Sequence, residues 1–136
     1  CNLALLAQTL SYSGRSEEAV GLMERAMRLN PYYPEWYLGI LGQSCRIAGQ
    51  HERAIATYNE LLERRRKSGG TTIQPLLGIT LTYMTLGKED EAREYAAWIL
   101  KIDPAFSLEW VRQATFFKDK ALLEQDLAAL RKAGLR

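Results

Sequence analysis

The chain has 136 residues, within the length of one domain. Its 47% hydrophobic and 25% charged residues are ordinary for a folded globular protein and argue against a disordered tail. Eighteen Lys and Arg against sixteen Asp and Glu leave a net charge of +2, so no global charge drives binding to nucleic acid or an acidic membrane. Two cysteines and one histidine cannot build a disulfide framework or a four-ligand zinc site. The apolar runs are far shorter than the ~20 residues of a spanning helix, and no charged-then-apolar signal segment opens the chain. The chain starts at Cys1 with a helical pattern already under way, which reads as a piece of a longer protein.

Helices are expected at 2–13, 16–29, 35–48, 51–67, 72–86, 89–101, 106–116 and 120–132. They fall into pairs because one pattern recurs: Gly14-Arg15-Ser16-Glu17-Glu18-Ala19, Gly49-Gln50-His51-Glu52-Arg53-Ala54 and Gly87-Lys88-Glu89-Asp90-Glu91-Ala92. The steps between the alanines are 35 and 38 residues. A near-fixed period of this size marks a stacked repeat protein.

Before each glycine, residues fall at i, i+3, i+4, i+7, one face of a helix. They are Leu3, Leu6, Ala7 and Leu10, then Leu38, Leu41, Gly42 and Cys45, then Leu76, Ile79, Thr80 and Tyr83. Each glycine comes four residues after the last of these, where a helix ends on a left-handed residue. The next helix opens with acids that suit its N-terminal dipole. It then presents Ala19, Met23 and Ala26, or Ala54, Tyr58 and Leu61, or Ala92, Ala96 and Ile99. Small residues in this row let paired helices approach closely. Pro31 and Pro104 follow where a helix must stop.

This pattern resembles the tetratricopeptide repeat, W-x2-L-G-x2-Y, then A-x3-F, then P. The resemblance implies an all-α helical-hairpin solenoid, with repeats at about 1–33, 35–70 and 73–106 and an atypical fourth unit over 107–136. The second unit has Arg66 at the closing proline, and Ser68-Gly69-Gly70 absorbs the longer spacing. In the fourth, Trp110-x2-Gln113-Ala114-x2-Phe117 fits a first helix, but Lys118-Asp119 replaces the glycine. Asp119 is the expected N-cap of a closing helix with apolar residues Leu122, Leu123, Leu127 and Leu130 and a stop at Gly134. The end of a stack needs such a cap.

No catalytic constellation is present, and no cofactor or metal is expected. His51 lies in a helix's first turn, usually solvent-facing, and a Ser/His/Asp arrangement has no motif support. Cys45 falls in a core row. Ser68-Gly69-Gly70 lacks the Lys-Ser/Thr of a phosphate loop. The run Arg64-Arg65-Arg66-Lys67 admits a phosphate or acidic-partner contact. Cations offsetting a helix C-terminal dipole explain it more simply. The reading is therefore a non-catalytic module, with nucleic acid disfavoured.

Stacked helix pairs bind on their concave surface, and the resemblance assigns that lining to the first helix of each unit. The candidate peptide groove is Trp36, Ile40, Gln43, Arg46, Ile47, Gln74, Leu77, Leu81 and Met84, with Gly39 and Gly78 beside it. It lacks the Lys, Arg and Asn set of a carboxylate clamp. Leu77, Leu81 and Met84 form a stripe with two readings. It receives a partner's helix or extended peptide, or it is covered by the closing helix or by neighbouring repeats. The expected partner is a protein or peptide, or the parent protein's own catalytic domain, with a homodimer as the structural alternative.

The closing segment, Asp103-Pro104-Ala105-Phe106-Ser107-Leu108-Glu109-Trp110 through Phe116-Phe117-Lys118-Asp119 to Leu130-Arg131-Lys132-Ala133-Gly134-Leu135, carries a second resemblance. It is similar to the C-terminal end of bacterial proteins that join a class III adenylate/guanylate cyclase domain to tetratricopeptide repeats. That implies a cytoplasmic regulatory module of a signalling protein. None of the cyclase domain's residues can be mapped onto this chain.

Overall fold

The computed structural model describes residues 15–70, 72–109 and 120–135. The described helices are α1 (Ser16–Leu29), α2 (Trp36–Ile47), α3 (His51–Ser68), α4 (Ile73–Thr85), α5 (Glu89–Ile102) and α6 (Lys120–Lys132), with no strand among the described residues. Their ends lie within one residue of those expected from the sequence. The expected helix over 2–13, Gly14, most of the helix over 106–116 and the Asp119 cap lie outside the described residues, as does the Leu122 side chain.

The chain folds as an all-α helical repeat solenoid. Each helix from α1 to α4 packs against the next, and the two first helices α2 and α4 also touch side by side. Where they are described, the rows read from the sequence form the core, with Tyr83 at its half-buried edge. Ala19, Met23, Ala54, Leu61, Ala92, Leu76, Ile79, Ile99 and Cys45 have no accessible surface, and Ala26 and Ala96 keep 1%. Burial pushes the Cys45 thiol above its ordinary pKa, with a smaller downward pull from Arg53, so it stays a protonated core residue. Buried hydroxyls return to their own helices. Ser44 donates to the Ile40 carbonyl, Thr80 to Leu76 and Thr82 to Gly78, at 2.7–2.8 Å.

Gly49 and Gly87 end α2 and α4 at φ 86° and 79°. Both close the same motif. The Gln50 amide donates to the Cys45 carbonyl and Gly49 to Arg46, and Lys88 donates to Tyr83 and Gly87 to Met84. Gly134 repeats it after α6, at φ 112°, with Leu135 bonded to Leu130 and both side chains buried. A Cβ at Gly87 would meet nothing within 4 Å. Gly87→Ala should therefore cost about 1 kcal/mol from left-handed strain alone. Denaturant melts of the two chains check this, and equal midpoints would refute the strain argument.

α3 runs to Ser68 and stops at Gly69, φ 78°. Pro75 sits in the first turn of α4, where its missing amide proton breaks no helical bond.

The largest departure from a regular stack is α6. In the regular part of the array a second helix packs on the first helix of its own unit and on that of the next, as α3 does on α2 and α4. Instead, the main neighbour of α6 among the described residues is the first helix α4. Leu127 and Leu130 are fully buried in the common core and Leu123 packs against it, while Glu124, Gln125 and Ala128 face solvent.

Candidate functional site

Every residue of the candidate groove lies on α2 or α4, and the two ends of this helix pair differ. At the N-terminal end Trp36 is 40% exposed and Gln74 is exposed, with Leu77 half-buried and Ile40 buried. Trp36 stands edge-on to Tyr37, ring centroids 4.7 Å apart, and Tyr37 stacks on Tyr33 at 5.9 Å. The indole is therefore held on a rigid aromatic base.

Arg65 links the two helices at this end. Its Nε donates to Glu35 Oε1 at 3.3 Å and its Nη1 to Gln74 Oε1 at 3.0 Å. The Gln74 side chain reaches across to α2 here, since a Cβ on Gly39 would come within 2.9 Å of Gln74 Nε2.

Toward the C-terminal end, Arg46 and Leu81 are buried, and Gln43, Ile47 and Met84 are half-buried. Arg46 reaches α6, where Nη1 and Nη2 donate to Asp126 Oδ1 and Oδ2, both at 3.1 Å. The two side chains are only 7% and 11% exposed. Burial opposes the guanidinium charge, but Asp126 and a hydrogen bond with Tyr58 outweigh it, so the net pKa shift is upward. Arg46 Nε has no protein hydrogen-bond partner.

Tyr58 belongs to the inner row of α3, and its ring lies between the two first helices. A Cβ on Gly42 would sit 3.0 Å from the ring, and one on Gly78 2.2 Å. Gly78 thus serves internal packing, not the lining beside which it was expected.

Asp126 was not visible as a site residue, because its partner lies 80 positions away. The sequence places Arg46 in the groove lining without naming a partner for it.

The arginines of the basic run diverge. Arg64 stacks over Tyr33, 5.2 Å from the ring centroid, and donates to the Tyr33 carbonyl at 3.4 Å. Arg66 lies 5.9 Å from the centroid of Trp98 on α5. Arg65 spans Glu35 and Gln74. The run therefore ties α3 to its neighbours, a role its sequence did not show. His51 also differs from the sequence expectation. It is half-buried, and its Nδ1 has no hydrogen-bond partner.

Among the described residues no group of three or more His, Cys, Asp or Glu is placed to hold a metal ion. No described helix is long and apolar enough to cross a membrane.

The geometry of α2 to α5 is that of paired antiparallel helices joined by glycine turns, repeated. The tetratricopeptide repeat family model matches residues 2–33 and 37–68. These matches support a tetratricopeptide repeat domain. Such repeats generally mediate protein–protein interaction and are typically non-catalytic. The third helix pair, α4 and α5, continues the repeat geometry beyond the matched residues. Comparison with curated proteins found no significant match.

The stripe Leu77, Leu81 and Met84 gives a direct test of coverage. Leu81 keeps 8% of its surface. Leu81→Asp should then cost about 2 kcal/mol or more, because a carboxylate there loses hydration without a counter-charge. In a domain of this size that lowers the melting temperature by about 5 °C or more. An unchanged melting temperature would mean that the stripe is open in solution.

Proposed function

We propose that the chain is a protein-interaction module that receives a protein segment on the face of α2 and α4, entering at the end marked by Trp36, Gln74 and Leu77. The observation that carries this is the exposed Trp36, buttressed by Tyr37 and set beside the polar Glu35–Arg65–Gln74 chain. A rigid, partly exposed aromatic ringed by polar groups is the composition of a binding hot spot. The resemblance of the closing segment extends the proposal to a regulatory part of a cytoplasmic bacterial signalling protein, such as an adenylate or guanylate cyclase. Partners would then include that protein's own catalytic domain.

A photo-crosslinking residue placed at Gln74, and separately at Glu63 on the exposed side of α3, tests the face. Cross-links to a protein from position 74, absent from 63 and lost on Trp36→Ala, are the expected result. Equal cross-linking from both positions would remove this face from the account.

A further inference from the structure

The covered end of the groove is organised around one buried cation. Arg46 lies under α6 with both terminal nitrogens on Asp126 and the Tyr58 hydroxyl beside it. A guanidinium in that place demands a carboxylate, because an uncompensated buried charge is strongly unfavourable. Any occupant of this end must therefore bring an acid on an otherwise apolar face.

α6 has that pattern. Leu123, Asp126, Leu127 and Leu130 stand at i, i+3, i+4 and i+7, one helical face, while Glu124, Gln125, Ala128, Arg131 and Lys132 are exposed. It lies on a first helix of the stack, as a bound amphipathic helix would lie in a groove. The fit is incomplete, because Arg46 Nε stays without a partner. A different helix offering one more acceptor would satisfy it.

We infer that α6 is a tethered occupant of a helix-binding groove. The partner is an amphipathic helix of the form Leu-x2-Asp-Leu-x2-Leu, with its carboxylate taken by Arg46, and it binds by displacing α6. This rests on the reading of the α2–α4 face given above. It adds the partner's chemistry and makes access to the groove regulated. Because a tethered helix competes at high effective concentration, a free partner binds the closed chain weakly and an opened chain more tightly, by the factor the opening supplies.

The probe is a labelled peptide of residues 120–135, titrated by fluorescence anisotropy against the full chain. Affinity for the Asp126→Asn chain should exceed that for the unaltered chain by about tenfold or more. Leu127→Ala, which leaves the ion pair in place, should shift affinity in the same direction and serves if Asp126→Asn does not fold. A peptide carrying Asp126→Asn should bind the opened chains about tenfold more weakly, since it cannot pair with the guanidinium. In an Arg46→Met chain the two peptides should bind alike.

If neither opened chain gains affinity, or both peptides bind every chain equally, the inference is wrong. A concentration-dependent dimer of the unaltered chain, dissociated by unlabelled peptide, would place α6 in a second copy and also overturn it. Cross-linking from position 74 is independent of these titrations. If it persists while the peptide fails, the interaction face stands and the tethered-helix inference alone falls.

Discussion

Gly78→Ala should destabilise the domain by about 3 kcal/mol, although alanine is the better helix former by ~1 kcal/mol. The sign is decided by space. The new Cβ would lie 2.2 Å from Tyr58 Cζ and 2.5 Å from Cε1 and Cε2. The ring has little room to retreat, because it lies so near α2 that even a Cβ on Gly42 would come within 3.0 Å of it, and its hydroxyl is bonded to Arg46. α4 must move away from α3, or Tyr58 must leave its place. Either movement disturbs the contact on which α6 rests. Gly21→Ala is the control. It lies in α1, is exposed, and would meet nothing within 4 Å, so the same exchange should stabilise by ~1 kcal/mol. Denaturant melts of the two variants should move in opposite directions. A stabilised Gly78→Ala chain would refute the wedged position of Tyr58.

The contrast between these glycines shows what was legible in the sequence. Gly49 and Gly87 were readable because a helix stop is local, fixed by the preceding turn and by the left-handed conformation that glycine accepts. The core rows were readable for a related reason. Leu38, Leu41 and Cys45, or Ala92, Ala96 and Ile99, lie on one face by helical periodicity alone, and all are buried. Gly78 carries no such local signal. Its requirement comes from a tyrosine on another helix, 20 positions away. The same holds for Arg65 and Gln74, which join helices across a loop, and for Arg66 on Trp98. Each is a choice of rotamer and neighbour that periodicity does not encode. The closing helix stands between the two cases. Its apolar residues and its stop at Gly134 were legible from the leucine spacing. Its seat against α4 was legible only as one of two readings of the Leu77, Leu81 and Met84 stripe, since amphipathicity states that a helix has a face to bury and not where it buries it.

Breaking the Arg46–Asp126 pair from either side should cost about 3 kcal/mol, and removing both charges together should restore most of it. Arg46→Met leaves a buried carboxylate, and Asp126→Leu leaves a guanidinium held only by Tyr58. Each orphan charge can regain hydration if α6 lifts away, so opening of α6 limits the loss, and the damage should be local. Hydrogen exchange should therefore show α6 losing protection in either single variant, with α3 and α5 little changed. In the double variant the charges are replaced by apolar groups of similar reach inside a cluster that already holds Leu127 and Leu130, so α6 should close again. The peptide of residues 120–135 should then bind the double variant as weakly as it binds the unaltered chain. Salt separates this pair from the surface pairs. Arg53 and Glu24 meet at 2.8 Å but are 42% and 37% exposed, so their contribution stays below about 1 kcal/mol and fades with ionic strength. The cost of Asp126→Leu should persist at high salt, since the pair it breaks is shielded from ions. Strictly additive losses in the double variant would show that the two side chains act independently, and that Arg46 is not what holds the closing helix.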